Sequence, residues 1–255
     1  QVGADEERGR HAQPLQNRRL TPSVEGVVSD QAEVKVGLRT VTSRIAPGGG
    51  RPILVTNRPV QVVGAGWCPD IFLRYDARRL LDELIYTVEM GLNAIRLEGK
   101  LENPEFYDLA DRMGIMVLPG WECCNKWEAH AGTGGAPWSE QDYLIARRSM
   151  ASEARLLRNH PSVMSFQIGS DFAPPSRLAG IYVEELRAAD WSTPIVSSGA
   201  SEHNNAWAGG ASEFGTTATE AAGPSGMKMW PYDWVPPVYW YGKQYGAAVG
   251  FDSEC

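Results

Sequence analysis

Two acidic residues lie at the ends of predicted strands, where their side chains could act as catalytic groups. Asp171 closes the apolar run SVMSFQIGS, and Glu254 comes shortly after the run VGF. Hydrolysis of a glycosidic bond with retention of configuration needs two carboxyl groups about 5–5.5 Å apart, one as nucleophile and one as acid and then base. Two strand ends facing each other across the mouth of a parallel barrel could supply such a pair. The alternative is that both are solvated carboxylates at the start of loops.

Tryptophan is frequent in this chain, which has nine tryptophans among 255 residues. Five of them lie in or near the loops that follow predicted strands: Trp67, Trp121, Trp127, Trp138 and Trp240. Because the apolar faces of sugars pack on aromatic rings, this enrichment fits a carbohydrate pocket, although core packing is the alternative for each single ring. In the alternating segment YWY only one of Tyr239 and Tyr241 can face inward, and we favour Tyr239 as the substrate contact.

From Pro59 onward, short apolar runs alternate with segments of helical period, an order typical of parallel strands joined by crossover helices. The predicted strands are PVQVVGAGW, NAIRLEG, IMVLPGW, SVMSFQIGSD and TPIVSS. The predicted helices between them are ARRLLDELIYTVEMG (with Leu80, Leu81, Leu84, Ile85 and Val88 on one face), PEFYDLADRMG (with Pro104 in its first turn), SEQDYLIARRSMASEARLLRNH (capped by Ser139) and RLAGIYVEELRAAD.

An open doubly wound sheet and a closed barrel both fit this alternation. No glycine-rich phosphate loop follows the first predicted strand. Aromatic and acidic residues recur at the strand ends, where barrels collect their chemistry. The sequence therefore favours the α/β class with a (β/α)8, TIM-type barrel.

The chain before Pro59 has a different texture. Two β-rich stretches lie between Gln31 and Val63, and the alternation of Val34, Val36 and Leu38 is typical of a half-buried strand. Residues 1–30 mix both charge signs and lack a sustained apolar period. They are predicted to be poorly ordered or to be the remnant of an upstream domain.

Charge and cysteine content exclude several classes of function. The chain has 24 Lys and Arg against 31 Asp and Glu, a formal net charge of −7, which gives it no electrostatic reason to bind nucleic acid or an anionic membrane. No apolar run approaches the ~20 residues that span a bilayer. The four cysteines match no zinc spacing and the four histidines are scattered. We expect no metal and no cofactor.

Five blocks of sequence, in order, resemble glycoside hydrolase family 2, and within it the chitosan-degrading exo-β-D-glucosaminidases. The blocks are GAGWCPDIFLR, NAIRLEG, PGWECCNKWE, RNHPSVMSFQIGSDFAP and GMKMWPYDWVPPVYWY, and the resemblance covers residues 34–255. It implies that residues 31–58 end an immunoglobulin-like β-sandwich. It also implies that residues 59–255 are a catalytic barrel that stops after its seventh strand, so that the N- and C-terminal domains of the full-length family members are missing.

The resemblance further implies roles for single residues. Asp171, in Gly-Ser-Asp, would be the general acid/base, and Glu254 would be the nucleophile. Glu98, in Arg-Leu-Glu-Gly, would face the C2 amine of the substrate, a charge-assisted contact that an N-acetyl group cannot make. The alternative for Glu98 is a surface pair with Arg96 or Lys100.

Further candidates for substrate binding are Trp67, Asp70, Trp121, Glu122 and Tyr239. For Glu122, a structural salt-bridge cluster with Lys126 and Glu128 is an equal alternative.

These residues and the resemblance together predict a retaining, exo-acting glycoside hydrolase that removes β-linked glucosamine from chitosan-type oligosaccharides. The alternatives are a β-mannosidase or β-galactosidase of the same family, and an inactive carbohydrate-binding barrel. The resemblance implies secretion of the protein. About 197 residues follow position 58, whereas a complete barrel usually needs about 250, so we expect the chain alone to be inactive and poorly folded.

Overall fold

The computed structural model describes most of the chain up to position 199 and a few residues beyond it. The described residues are 15–44, 46, 51–98, 101–121, 137–170, 173–199 and 236, with the backbone of two short strands at 227–229 and 251–254. Within these residues the chain forms one larger parallel sheet with helices, several small antiparallel sheets, and one separate parallel pair of strands.

Seven short strands form before the parallel sheet. They are β1 (Gln16–Leu20), β2 (Ser23–Val24), β3 (Val27–Val28), β4 (Ala32–Val36), β5 (Val41–Ser43), β6 (Ile53–Val55) and β7 (Arg58–Val60). All their pairings are antiparallel: β1 with β4, β2 with β3, and β6 with both β5 and β7.

Strands therefore begin earlier than the sequence predicted. The residues of β1 are all exposed and have no apolar alternation, so a hydrophobic pattern could not reveal them. Backbone pairing with β4 and the ion pair between Arg19 and Glu33, 2.8 Å apart, stabilise the strand.

The strand predicted around Val34 forms, but it is less buried than predicted: Val36 is half-buried, and the other two apolar residues are exposed. Leu38 is 72% exposed and Val34 is 38% exposed. For Val34 the physical reason is that β4 belongs to a two-stranded sheet with β1, which offers little surface against which its side chains can be buried; Leu38 lies beyond the end of β4.

Five strands downstream form one parallel sheet in which neighbours in sequence are neighbours in space. They are β8 (Gly64–Gly66), β9 (Ala94–Glu98), β10 (Met116–Gly120), β11 (Phe166–Gln167) and β12 (Ile195–Val196). The helices that connect them are α1 (Ala77–Glu89), α2 (Pro104–Met113), α3 (Glu140–Leu157) and α4 (Ser176–Ala188). The predicted α/β class with a parallel sheet is confirmed. Farther along, β13 (Met227–Met229) and β14 (Phe251–Glu254) form a separate parallel pair.

The single strand predicted from PVQVVGAGW is divided between two sheets. Its start, β7, pairs antiparallel with β6, and its end, β8, pairs parallel with β9. The Asn93 side chain holds the chain between them, because it donates to the Gln61 carbonyl at 2.8 Å and accepts from the Val63 N–H at 2.9 Å. Gly64 then lies so close to β9 that a Cβ there would stand 2.6 Å from the Ala94 carbonyl oxygen.

The helix ends follow the predicted caps. Ser139 forms a capping box with Asp142 at the start of α3, and Pro104 occupies the first turn of α2. The Asp76 carboxylate caps α1 by accepting from two backbone N–H groups. Gly114 ends α2 with a φ of 72°, a left-handed conformation that glycine adopts without strain.

One residue of the predicted apolar face of α1 is exposed. Leu80 and Leu84 are buried as predicted, but Ile85 is 39% exposed. Thr87 is buried in its place, and its hydroxyl donates to the Glu83 carbonyl at 3.0 Å. A threonine whose hydroxyl donates to a carbonyl of its own helix can occupy a buried position. A prediction that considers only apolar residues does not identify such a position.

The main core lies between the helices and one face of the parallel sheet. On β9 it takes Ile95 and Leu97, and on β11 it takes Phe166. Phe106 and Tyr107 of α2 are fully buried against this face. Successive strand residues point to opposite faces, so the residues between them, such as Arg96, face away from the helices.

A second, smaller core joins the small β5–β7 sheet to the parallel sheet. Val41 of β5 and Ile53 of β6 cluster with Leu118 of β10 and with Met164. Leu118 alternates with Val117, which packs among the helices, so this cluster is on the other face of the sheet.

A further contact lies close to this second core. Arg39 donates to the Val163 carbonyl at 2.7 Å, and burial lowers the pKa of Arg39 to about 10. Within the described part of the chain, no helix is both long and apolar enough to cross a membrane.

We expect Ser139→Ala to lower the free energy of unfolding by about 1 kcal/mol, because it removes the side-chain cap from the first turn of α3. Urea denaturation of the protein made from its complete reading frame checks this value. Ser152→Ala is the matched control, because Ser152 is exposed in the middle of the same helix and alanine is a better helix former. Equal stability of the Ser139 variant and wild type would contradict the capping role.

Candidate active site

The inner face of the parallel sheet, opposite the helices, carries a buried polar cluster. On β9 it presents Arg96 and Glu98, because Ile95 and Leu97 occupy the helix side. Arg96 is only 7% exposed, whereas the Glu98 side chain at the carboxyl end of the strand is 38% exposed. Carboxyl ends of parallel strands are where this type of sheet places its functional residues.

Arg96 binds three other residues of this cluster. Its Nε donates to Gln167 Oε1 at 3.0 Å, and its Nη2 donates to Ser170 Oγ at 2.9 Å and to Glu98 Oε1 at 3.2 Å. Ser170 Oγ in turn donates to Glu98 Oε1 at 2.6 Å. We call Arg96, Glu98, Gln167 and Ser170 the inner-face cluster. The Arg96 guanidinium can only donate hydrogen bonds, so it places a set of acceptors around itself.

A glycine on the middle strand makes room for this cluster. Gly120 pairs with Gln167 across β10 and β11. A Cβ on Gly120 would lie 2.8 Å from Gln167 Cβ and 3.0 Å from the Gln167 carbonyl oxygen. The absence of a side chain at position 120 lets Gln167 reach across β10 towards Arg96.

The chain after β11 carries the residues around predicted Asp171. The Ile168 N–H donates to the Val196 carbonyl at 2.9 Å, and the Ser170 carbonyl accepts from the Gly199 N–H at 2.8 Å. Ser170, the neighbour of Asp171, is thus fixed at the carboxyl end of the sheet and belongs to the inner-face cluster. Asp171 itself lies outside the described residues.

This geometry bears on both interpretations of Glu98, as a contact for the substrate amine and as a surface pair with Arg96 or Lys100. The predicted pair with Arg96 exists, but it is not a surface pair, since the Arg96 side chain is only 8% exposed. Lys100 lies outside the described residues. Among described residues, the donors to Glu98 all reach Oε1, so Oε2 has no protein donor among them and the carboxylate keeps an accessible side. This side is where a cationic group could bind.

Asp70 lies in the loop after β8, and its carboxylate is bound by residues close to it in sequence. Its carboxylate accepts from the Phe72 N–H at 2.9 Å and from Arg74 at 2.8 and 3.1 Å, and it also pairs with Arg79 at 3.3 Å. The hydrogen bond from the Arg74 guanidinium, followed by that from the Phe72 N–H, holds the pKa of Asp70 well below its usual range. These contacts fix the loop, and substrate binding by Asp70 stays a prediction.

The two described tryptophans among the candidates pack on the helix side or near it. The Trp67 ring lies 5.3 Å from the Phe106 ring at a tilt of 56°, and its Nε1 donates to Glu102 at 2.8 Å. Trp67 also lines a cleft together with Asp70. The Trp121 ring lies among Phe166 and Tyr182, at 5.5 and 5.6 Å. This position favours the core-packing alternative for Trp121.

Besides Asp171, three candidates have side chains outside the described residues. Glu254 ends β14, whose backbone pairs with β13 so that Glu254 is opposite Met229. The side chain of Glu254 is outside the described residues, as are Glu122 and Tyr239 altogether.

Three potential metal ligands come together away from the inner-face cluster. Ligand atoms of Asp108, Asp111 and His160 lie within 4.8 Å of one another. Asp111 already uses both oxygens, one with His160 Nδ1 at 2.7 Å and one with the Ser162 N–H at 2.7 Å. These bonds tie α2 to the chain that leads into β11, which accounts for the cluster structurally.

Sequence reasoning missed Gln167 and the role of Ser170 as site residues. Arg96 entered only as a possible pair for Glu98. The sequence signal for Arg96 was the alternation in NAIRLEG, where this charged residue lies between the apolar Ile95 and Leu97. In a strand that is paired on both sides, such a residue must face away from the helices. The same parity places Trp121 on the side of Ile115 and Val117, the helix side.

The comparison with known proteins gives one consistent group. The exo-β-D-glucosaminidase of Streptomyces avermitilis is 47% identical over 249 residues, which are 96% of this chain and 26% of that protein. The crystal structure of the Amycolatopsis orientalis exo-chitosanase CsxA matches with a TM-score of 0.78 and 42% identity, over 94% of this chain and 27% of that one. The chain is homologous to exo-β-D-glucosaminidases. The predicted resemblance to this group of glycoside hydrolase family 2 is thereby confirmed.

β-Mannosidases match the chain less closely. The enzyme of Rattus norvegicus is 28% identical over 158 residues, which are 58% of this chain and 17% of the mannosidase. No protein-family model matches the chain. The chain spans about a quarter of the length of the glucosaminidases that it matches.

We expect Gly120→Ala to destabilise the protein by about 1–3 kcal/mol, because the new Cβ overlaps Gln167 and forces the inner-face cluster apart. Gly180→Ala is the control: Gly180 lies in α4 with nothing within 4 Å of a Cβ, so alanine there stabilises by about 0.5–1 kcal/mol. Denaturant titration of both variants in the complete protein separates the two cases. Two variants of equal stability would show that position 120 tolerates a side chain.

Proposed function

We propose that the protein containing this chain is a retaining, exo-acting glycoside hydrolase that removes β-linked glucosamine from chitosan-type oligosaccharides. The observation that carries the proposal is the accessible Glu98 carboxylate at the mouth of the sheet, next to Ser170 and the following Asp171. The chain in which this group lies is 47% identical to an exo-β-D-glucosaminidase. A structure of CsxA in complex with PNP-β-D-glucosamine, at 42% identity and a TM-score of 0.79, adds support for the substrate class.

We infer that the parallel sheet is part of a (β/α)8 barrel. The order of its five strands in the sheet follows their order in the sequence, whereas in a doubly wound sheet the strand order reverses at a switch point. The parallel pairing of β13 with β14 fits later strands of the same barrel. The antiparallel strands β1–β7 fit the end of an immunoglobulin-like β-sandwich that precedes the barrel.

The proposed reaction uses two carboxyl groups. Glu254, at the end of β14, attacks the anomeric carbon, and Asp171 protonates the glycosidic oxygen as the leaving group departs. Asp171 then removes a proton from the water that releases the sugar from Glu254, so the configuration is retained. Because an aspartate side chain is shorter than a glutamate, the backbone before Asp171 has to stand close to the substrate. The hydrogen bond between Ser170 and Gly199 anchors that backbone.

Glu98 supplies the proposed specificity. Its carboxylate is an anion whose Oε1 is held by Arg96 and Ser170, and its accessible side can bind a C2 ammonium group. An acetamide at C2 carries no charge and is larger, so it would leave this carboxylate without its partner. Trp67, Asp70, Glu122 and Tyr239 are proposed to contribute to the pocket walls, whereas Trp121 supports them from the helix side.

A β-mannosidase or β-galactosidase would use the same catalytic pair on a sugar with a hydroxyl at C2. Comparison of β-glucosaminide, β-mannoside and β-galactoside hydrolysis by the complete protein decides between these activities. Absence of turnover on every substrate would favour the inactive carbohydrate-binding barrel. Secretion stays a proposal, which activity in the culture medium of the source organism would test.

We expect Glu254→Gln in the complete protein to abolish turnover, with a loss of more than about 10⁴-fold in kcat, because a covalent intermediate requires the carboxylate. Steady-state hydrolysis of an aryl β-glucosaminide measures the effect. Glu105→Gln, an exposed residue in the first turn of α2, serves as a control with unchanged kcat. Turnover near the wild-type value in Glu254→Gln would refute the assigned nucleophile.

We expect Glu98→Gln to raise KM for β-glucosaminides and to reduce the preference over N-acetylated analogues. Loss of one charge-assisted contact costs about 1.5–3 kcal/mol. The ratio of kcat/KM for the two substrates, measured for wild type and variant, gives the change in preference. An unchanged ratio would assign Glu98 a purely structural role.

A further inference from the structure

Ser170 connects the amine-binding candidate Glu98 with the predicted acid/base Asp171. The Ser170 side chain is fully buried. Its Oγ lies 2.6 Å from Glu98 Oε1 and 2.9 Å from Arg96 Nη2. Asp171 is the next residue along the chain.

The direction of these two hydrogen bonds is fixed by chemistry. The Arg96 guanidinium can only donate, so Ser170 Oγ accepts from it. The single hydroxyl proton of Ser170 is then available for Glu98. A distance of 2.6 Å is that of a charge-assisted bond from a hydroxyl to a carboxylate, one of the stronger hydrogen bonds in proteins.

This arrangement orients the Glu98 carboxylate. Oε1 takes donors from two sides, whereas Oε2 accepts no hydrogen bond from any residue that the structure describes. With Oε1 held by Ser170 and Arg96, rotation of the carboxyl group is restricted, and Oε2 is the oxygen left without a donor among the described residues. Without the hydroxyl, Arg96 Nη2 at 3.2 Å would be the remaining donor, at a longer distance.

The position of Ser170 is itself well defined. Its carbonyl accepts from the Gly199 N–H at 2.8 Å, and the preceding Ile168 donates to Val196 at 2.9 Å. The hydroxyl therefore comes from a backbone tied to the end of the sheet, on the far side of β10 from Glu98. A rigid donor of this kind orients its acceptor without first losing conformational entropy of its own.

We propose that Ser170 is a positioning residue that holds Glu98 for a C2 ammonium group and thereby sets the preference for amino sugars. This inference rests on the proposed function. It gives Ser170 a part in substrate selection that is separate from its place beside the acid/base.

The test compares substrates that differ at C2 in the protein made from its complete reading frame. Wild type, Ser170→Ala and Ser170→Thr are assayed with a β-glucosaminide and the corresponding β-glucoside, both with a dinitrophenyl leaving group. Such a leaving group departs without protonation, so a displaced Asp171 has little influence on the first step. Ser165→Ala is the matched control, because the Ser165 hydroxyl is equally buried, lies in the same segment and has no hydrogen-bond partner among the described residues.

We expect Ser170→Ala to lower the ratio of kcat/KM for glucosaminide over glucoside about tenfold, as loss of one charge-assisted hydrogen bond predicts. Ser170→Thr keeps the hydroxyl and retains most of the ratio, and Ser165→Ala leaves it unchanged. In a Glu98→Gln background, Ser170→Ala has no further effect on the ratio, because the group that it positions has already lost its charge. Thermal unfolding verifies that each variant is folded, and Ser170→Cys, which keeps the side-chain volume, replaces an alanine variant that does not fold.

Equal losses on both substrates would overturn the proposal, since Ser170 would then act on catalysis and not on the C2 group. A full, independent effect of Ser170→Ala in the Glu98→Gln background would overturn it as well. A wild-type protein that hydrolyses no β-glucosaminide would instead refute the proposed function, so the two failures are distinct.

Discussion

A guanidinium removed from water must find acceptors inside the protein, because an uncompensated buried charge costs several kcal/mol. Arg96 places this requirement on the inner face of the sheet, and Gln167, Ser170 and Glu98 meet it. The acceptors come from β9 and from the chain of β11, so one buried cation couples two strands that do not pair with each other. Gly120 on the strand between them leaves the space that this coupling needs. The orientation of Glu98 is thus a consequence of how the sheet accommodates Arg96.

The two faces of the sheet divide packing from chemistry. On the helix side, Leu97 and Phe166 are fully buried among aromatic and aliphatic residues of the helices. On the inner face, the same strands present charged and amide side chains near their carboxyl ends. Alternation along each strand allows stability and recognition to be encoded at adjacent positions, so a substitution on one face leaves the other largely unaffected.

Most of the parallel sheet and its helices could be predicted from the sequence, since α1 to α4 have strong helical periods and recognisable caps such as Ser139. Strand β1 could not be predicted, because its residues are polar and all exposed and so leave no hydrophobic pattern. The position of Glu98 at a strand end was predicted correctly. Its contact with Ser170 could not be predicted, because it joins residues 72 positions apart. Ser170 has the parity of Phe166 and Ile168, which pack on the helix side, and it reaches the inner face only because the chain bends after Gln167. Such a bend follows from tertiary packing and not from local propensity.

The small core shared by Val41, Ile53, Leu118 and Met164 bears on how this polypeptide can be divided. The β5–β7 sheet packs against the parallel sheet through this core, and the Asn93 side chain fastens the segment that passes from one sheet to the other. A cut at Pro59, where the sequence pattern changes, would separate β5 and β6 from the parallel sheet. It would expose the apolar side chains of the shared core. Recombination between relatives, in evolution or in the laboratory, would therefore preserve the junction best when the hairpins and the sheet are inherited as one piece.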